Sequence, residues 1–279
     1  MRRVALATCA GTDVDPDAPI LLDALARAGV AGALCVWDDA SIDWDAYDLV
    51  VVRSTWDYAG QRARFLRWAR SLARVVNPYD VLEYSSDKRY LVDLAARGVP
   101  VVASEFFDVG AEPVFPGGDF VVKPCVGAGS MDAERYRGDE HAAARSHVAR
   151  LHGAGRDVLI QPYIDSVDDI GEHALIFIDG AFSHAMTKAA MLNVTALDRN
   201  ALFRREQLSR ATPEPEALAL AHAALARRFE DLLYARVDLV ATPTGWALME
   251  LELVEPSLFL AFDDEAAHRL AAGIVARLR

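Results

Sequence analysis

Short apolar runs alternate with stretches of helical spacing through the first third of the chain. Val4 to Cys9 predicts a first strand, and Pro19 to Ala28 carries the spacing of a helix, with Gly29 as its C-terminal stop. Ala33 to Trp37 and Leu49 to Val52 predict further buried strands. Arg62 to Arg74 predicts a basic amphipathic helix leading into Arg74-Val75-Val76-Asn77-Pro78. Strands that alternate with helices require a parallel sheet joined by crossovers, and in such sheets ligands gather at the carboxyl ends of the strands. Those ends carry Trp37-Asp38-Asp39, Arg53-Ser54-Thr55-Trp56-Asp57-Tyr58 and Asn77-Pro78. The planar fork of Arg53 suits a grip on a substrate carboxylate, and equally a structural ion pair with Asp57 or another acid.

Past residue 84 the pattern changes. Asp87 to Arg97 predicts a helix capped by Ser85 or Ser86 and stopped at Gly98. Strands follow at 100–107 and 120–123, a helix at 140–152 and a strand at 158–164. Two strands, 173–178 and 181–187, flank the turn Asp179-Gly180. Residues 191–213 show no firm period, which predicts an ordered but mobile loop with Arg199, Arg204 and Arg205 available to cover a substrate. Residues 214–233 place Leu218, Leu225, Phe229 and Leu232 on one face of a core helix, and 266–278 form a terminal helix. Three units result: 1–84, 85–165 and 166–279.

The most informative stretch is 236–256, where two strand-like runs flank a turn at Pro243, Thr244 and Gly245. Residues two apart in a strand share a face, so Arg236 points with Asp238 and Glu250 with Glu252. Antiparallel pairing can bring Asp238 to the two glutamates. Three carboxylates and a guanidinium on one face of an apolar ribbon suit a hard divalent cation shared with phosphate oxygens. A hairpin with one solvated polar face is the plain alternative.

Composition narrows the partners. Twenty-nine basic against 41 acidic residues give a net charge of −12, which argues against general affinity for nucleic acid or an anionic membrane. A bound polyanion must therefore meet a local positive pocket. Hydrophobic residues at 53% are ample for sizeable cores in 279 residues. Cys9, Cys35 and Cys125 are widely spaced and without metal-site spacing, in keeping with a reducing cytoplasm. The start superficially resembles a signal peptide, but its apolar run is short and Asp13, Asp15 and Asp17 follow at once, so a first strand is expected there. No apolar run is long enough to span a membrane.

A candidate phosphate site lies at Phe120 to Ser130. Lys123 ends an apolar strand, and the small-residue loop Gly127-Ala128-Gly129-Ser130 follows it, where backbone N–H groups can approach phosphate oxygens. This is neither the Walker pattern nor the dinucleotide fingerprint, and such a loop alone is more often an ordinary turn.

The order of motifs carries more than any one of them: Asp87-Lys88, then VVKPxxGxGS, QPYI, GEH, RVD and ELE. That order resembles the ATP-grasp superfamily over roughly residues 77 to 262, with the preceding region similar to the Rossmann-like domain that usually comes before it. The resemblance implies an α/β chain in which a Rossmann-like parallel-sheet domain precedes α+β nucleotide-binding subdomains. Within the superfamily the likeness is to ligases of the glutathione-synthetase and ribosomal-modification type. The phrases VRSTWDY, DKRYL, FVVKPCVGAGS and GEHALIFIDGAFSHA bring it nearest to the O-ureido-D-serine cyclo-ligases of cycloserine biosynthesis.

By that resemblance, Lys88 and Lys123 hold ATP phosphates and residues Gly127, Ala128, Gly129 and Ser130 form the flap over them. Gln161, Pro162, Tyr163 and Ile164 form the hinge that meets adenine, with Asp165, Asp168 or Asp169 on the ribose and Glu172 facing the nucleotide. Arg236 stabilises the transferring phosphoryl group, with Lys188 and Arg53 beside the substrate. Asp238, Glu250 and Glu252 take Mg²⁺, for which Mn²⁺ can substitute. Many relatives have Asn where Glu252 stands, and Glu255 has no counterpart. The implied enzyme is a cytoplasmic ligase, a possible homo-oligomer, that activates the carboxylate of a small amino-acid-like substrate and forms a C–N bond, with intramolecular cyclisation favoured. An intermolecular amide ligase and a catalytically inactive nucleotide-binding regulator are the alternatives.

Overall fold

The computed structural model describes residues 1–11, 15–190, 207–226 and 231–278. Its first sheet comprises β1 (Arg3–Thr8), β2 (Ala31–Val36), β3 (Leu49–Ser54) and β4 (Val75–Val76) in the order β2-β1-β3-β4, with every pairing parallel. Helices α1 (Asp17–Arg27) and α2 (Arg62–Ser71) make two of its connections. β1 and β3 are buried on both faces, which is why they read as continuous apolar runs and not as alternation. α1 packs Leu21 and Leu25, at most 1% exposed, into the core, each contributing about 1.5–3 kcal/mol. It stops where expected, at Gly29, whose φ of +76° suits glycine best.

Two short helices, α3 (Tyr79–Ser85) and α4 (Tyr90–Ala96), lead to an antiparallel sheet. It contains β5 (Glu105–Phe107), β6 (Phe120–Pro124), β7 (Glu134–Tyr136) and β8 (Val158–Pro162) in the order β5-β8-β6-β7, with α5 (His141–Gly153) packed on one face. After α6 (Ser166–Asp169), the third sheet takes β9 (Glu172–Ile178), β10 (Ala181–Lys188), β11 (Leu208–Ala211), β12 (Tyr234–Thr242) and β13 (Gly245–Glu252) in the order β11-β10-β9-β12-β13. α7 (Pro215–Leu225) and α8 (Ala266–Ala276) pack against it.

The first and third sheets share a core. Leu21 and Leu25 of α1 lie in one cluster with Ile176 of β9, Tyr234 of β12 and Leu270 and Ile274 of α8. Asn77 ties the two regions together at the end of β4. Its Nδ2 donates to the carbonyls of Tyr234 (3.0 Å) and Leu253 (2.8 Å), and its Oδ1 accepts from the Leu233 amide (2.9 Å). Full satisfaction of a buried amide is what lets a polar residue sit there.

Several expectations are corrected. The helix expected over 87–97 begins only at Tyr90, and Ser85 closes the preceding helix instead of capping the next. The Ser85 hydroxyl bridges the Leu251 carbonyl and the Leu253 amide, so it serves the hairpin. The strand expected over 100–107 is regular only at Glu105–Phe107, with an isolated bridge from Val101 to Leu248. Leu208–Ala211 is a strand within the stretch expected to be a loop, because its backbone pairs with β10 across sequence distance that periodicity does not sense. Arg199, Arg204 and Arg205 lie outside the described residues. The helix expected over 214–233 ends at Leu225. Among the described residues, no helix is long and apolar enough to cross a membrane, and the three cysteines are buried thiols.

Candidate active site

The anticipated hairpin of β12 and β13 forms, and its register sets Asp238 opposite Glu250 and Arg236 opposite Glu252. A bulge between Asp238 and Leu239 shifts the ladder beyond that point. This charged face forms part of the wall of a cavity of about 470 Å³ between the second and third sheets, closed by Asp17, Trp56 and Tyr58 of the first region. β6 faces it from the second sheet. Phe120 and Val122 point into the core while Val121 and Lys123 line the cavity, as strand alternation requires.

Arg236 grips Asp238 through two donors, Nε to Oδ1 at 2.9 Å and Nη2 to Oδ2 at 3.0 Å. It also donates to Glu252 and to the Ser257 carbonyl (3.2 Å), and its guanidinium lies 5.5 Å from the Phe259 ring centroid. Lys188 Nζ reaches Asp238 Oδ2 at 2.6 Å and Glu172 at 3.0 Å. Lys123 Nζ donates to Glu250 at 2.6 Å, while Lys88 stands 3.6 Å from the other Glu250 oxygen and donates to the Gly127 carbonyl at 3.1 Å. Four cations therefore meet the carboxylates of one hairpin face.

The charges are unevenly balanced. Burial drives the Asp238 carboxyl upward, but Arg236 and Lys188 outweigh it and hold it below the ordinary carboxylate range. Burial likewise raises Glu250, and the Lys123 and Lys88 charges reverse this, leaving it well below its usual value. At Glu252 the balance tips the other way. Burial, opposed by Arg236 and reinforced by the charges of Asp238 and Glu250, pushes it up to about 7. Among the described residues no three or more of His, Cys, Asp and Glu converge as a ready metal cage. The three carboxylates anticipated as metal ligands share the cavity wall, each turned toward a cation. Magnesium needs only one or two protein carboxylates alongside phosphate oxygens and water, and the surplus negative charge at Glu252 suits a cation. The donor set therefore fits Mg²⁺.

The residues of the phosphate loop, Gly127, Ala128, Gly129 and Ser130, line the cavity too. Gly129 and Ser130 both adopt left-handed backbone, with φ of +59° and +56°. None of the four amides donates to a backbone carbonyl among the described residues. Gln161, Pro162, Tyr163, Ile164 and Glu172 line the cavity as well, the Gln161 side chain being occupied by the Ser104 hydroxyl (2.8 Å).

Arg53 and the candidate ribose partners Asp165, Asp168 and Asp169 are not among the residues lining the cavity. Arg53, 2% exposed, lies behind the wall, 3.7 Å from Asp17 and 3.9 Å from Asp15, and donates to the Pro256 carbonyl. Its role is that of the structural ion pair, with acids other than Asp57. Asp169 is exposed on α6, and its neighbour Asp168 is taken by Arg135 and Tyr163. Tyr58, from the strand end singled out at 53–58, does line the cavity, and Asp17, Tyr90 and Phe259 line it without having been singled out. Asp17 sat in an acidic cluster weighed only against a signal peptide.

Comparison with known proteins agrees with this geometry. Residues 4–77 match the family described as D-cycloserine synthetase DcsG, N-terminal domain. The chain is 37% identical over 288 residues to the cycloserine biosynthesis protein DcsG of Streptomyces lavendulae, covering 95% of both chains. The crystal structure of D-cycloserine synthetase DcsG superposes with a TM-score of 0.88 at 35% identity, over 99% of this chain and 100% of that one. The RimK domain ATP-grasp protein from Sphaerobacter thermophilus shares the fold, with a TM-score of 0.67 at 17% identity over 98% and 99% of the two chains. The parallel sheet followed by two antiparallel sheets around one charged cavity is thus an ATP-grasp architecture, and the chain belongs to the DcsG family of cycloserine synthetases, ATP-dependent carbon–nitrogen ligases.

Proposed function

We propose that this chain activates the carboxylate of O-ureido-D-serine with ATP and closes it to D-cycloserine. The observation that carries the reading is the meeting of Lys88 and Lys123 with Glu250, opposite the Arg236 and Lys188 that hold Asp238, in one cavity.

A carboxylate that attacks the γ-phosphorus of ATP is an anion approaching an anion, and the transition state spreads negative charge over the phosphoryl oxygens. Positioning and neutralisation therefore supply most of the catalysis. Lys88 and Lys123 are placed to hold the phosphates, with the amides at 127–130 as further donors. Arg236, fixed by Asp238, presents its fork to the transferring group, and Lys188 supplies a second charge next to it. Glu250 and Glu252, with Asp238, would hold Mg²⁺, or Mn²⁺ in its place. When bound, the metal would supply positive charge against that of the phosphates.

Attack by the substrate carboxylate releases ADP and leaves an acyl phosphate. The alkoxyamine nitrogen of the same molecule then attacks the acyl carbon, the ring closes and phosphate departs. With one water the carbamoyl group leaves as carbon dioxide and ammonia. Strands of the second and third sheets, with Asp17, Trp56 and Tyr58 from the first region, wall the site, which limits the access of water to the acyl phosphate. The test is incubation with Mg-ATP and O-ureido-D-serine alone, which yields ADP, phosphate and the ring product in equal amounts. ADP formation only on addition of a second amine would show intermolecular ligation instead.

A further inference from the structure

Glu255 is an acid of the cavity wall that the phosphoryl chemistry leaves unused. It is 8% exposed, lies three residues beyond Glu252 and lines the same cavity. Its carbonyl accepts from Trp56 Nε1 at 3.3 Å, which anchors the main chain to the first-sheet region. Among the described residues, no salt bridge and no side-chain hydrogen bond meets its carboxylate. The other acids of the wall are all committed. Asp17 pairs with Arg53, Glu172 and Asp238 with Lys188, Glu250 with Lys123 and Glu252 with Arg236.

Activation of an amino acid sets a specific electrostatic problem. Its α-ammonium lies one carbon from the carboxylate that must approach Arg236 and the lysines, so a positive charge is carried into a cationic site. An acid with no salt-bridge partner among the described residues, beside the phosphoryl site and not within it, relieves that repulsion. We infer that Glu255 binds the α-ammonium of the substrate, beside the hydroxyl of Tyr58, and so selects α-amino acids over plain carboxylic acids; the inference rests on the carboxylate-activating function given above. Tyr58, 3% exposed, packs against Phe65 in a tilted ring pair (centroids 4.8 Å apart) and lines the cavity. Burial, then the Glu252 charge, raises the Glu255 carboxyl well above its ordinary range, so its anionic form is costly until a cation joins it.

The experiment measures binding in the presence of Mg²⁺ and a non-hydrolysable ATP analogue. Two pairs of ligands are compared: O-ureido-D-serine with its des-amino counterpart, and D-serine with 3-hydroxypropanoate. The wild-type chain is expected to favour the amino compound of at least one pair by about 30-fold or more, and Glu255→Gln to reduce that preference to about threefold or less. Binding of the des-amino compounds and of the ATP analogue stays within about twofold. Glu255→Asp, which keeps the charge, retains a preference at weakened affinity and carries the test should E255Q lose nucleotide binding. A preference that survives in E255Q, equal binding of both members of each pair by the wild type, or failure of both pairs to bind overturns the assignment. Ring formation is not read here, so a chain that discriminates the amine yet forms no ring refutes cyclisation alone.

Discussion

Lys123 of the second sheet and Glu250 of the third meet at 2.6 Å although 127 residues separate them in sequence. A lysine offered to phosphate is thereby held by a carboxylate suited to the metal, and Lys88 approaches the same group at 3.6 Å. On the proposed function, nucleotide and metal together would supply each partner with an alternative, phosphate for the ammonium and Mg²⁺ for the carboxylate. The ion pair therefore positions both groups without a net buried charge.

Replacement of Lys123 by Met tests this arrangement. It removes the proposed phosphate ligand and leaves Glu250 to the more distant charges of Lys88 and Lys188. The expected result is a rise in the KM for ATP of about 10-fold or more, from loss of a charge-assisted contact. The Glu250 carboxyl, held well below its usual range in the wild type, moves upward in the variant. Stability from a depressed carboxyl is present above its unfolded value and lost as pH falls through the folded one. Thermal denaturation from pH 3 to 7 should then show the variant losing stability at higher pH than the wild type; parallel curves would exclude the pairing.

Glu252 gives the opposite pH dependence. Its carboxyl stands at about 7 in the folded chain against an ordinary 4.5, so the folded state binds the proton more tightly. The Glu252 contribution to stability is therefore greatest below 4.5, falls as pH rises toward 7 and is level above it. Glu252→Gln removes this term. Relative to wild type, the variant should gain on the order of 1–3 kcal/mol between pH 4.5 and pH 8. The check is the melting-temperature difference between the two proteins without nucleotide or metal; a difference independent of pH would show that Glu252 ionises normally.

The hairpin was legible because it is local: alternation set the strands, and residues two apart had to share a face. Lys123 was legible for the same reason, as the polar end of an apolar run. The misreadings arose where distant partners decide the outcome. Arg53 looked like a ligand because it follows a strand end, but Asp17 on α1 and the Pro256 carbonyl, 203 residues away, claim it. Leu208–Ala211 carries no period of its own and becomes a strand only by pairing with β10. Asp17 itself was invisible as a site residue, since its partners at 258 and 260 lie more than 240 residues on.

Asp17 is expected to control the shape of the cavity floor. Its carboxylate accepts the amides of Leu258 and Leu260, both at 2.8 Å, and so clamps Phe259, a cavity residue held in left-handed backbone at φ +52°. A bulky residue adopts that conformation only where its neighbours impose it. Asp17→Ala should destabilise the chain by about 3 kcal/mol, because two buried amides and the Arg53 charge lose an acceptor. Asp17→Asn, which keeps one acceptor, should lose less and raise the KM for the amino-acid substrate more than that for ATP. Denaturant titration and steady-state kinetics of both variants decide; equal loss in the two would assign Asp17 to charge balance alone.

Arg236 is expected to separate binding from chemistry. Its fork is fixed by two bonds to Asp238, and the Phe259 ring lies against it, so the guanidinium cannot follow a displaced phosphate. A lysine there keeps the charge but presents one nitrogen in place of a planar pair, and cannot meet Asp238 and a phosphoryl oxygen in the same geometry. Because phosphoryl charge develops in the transition state, the loss falls on kcat and not on nucleotide binding. Arg236→Lys is expected to lower kcat by about 100- to 1,000-fold while the KM for ATP changes by no more than about threefold. Rapid-quench measurement of the first turnover distinguishes this from slow product release. A normal burst of ADP followed by slow turnover would place Arg236 outside the phosphoryl step, whereas a first turnover slowed as much as kcat assigns the guanidinium to the transferring group.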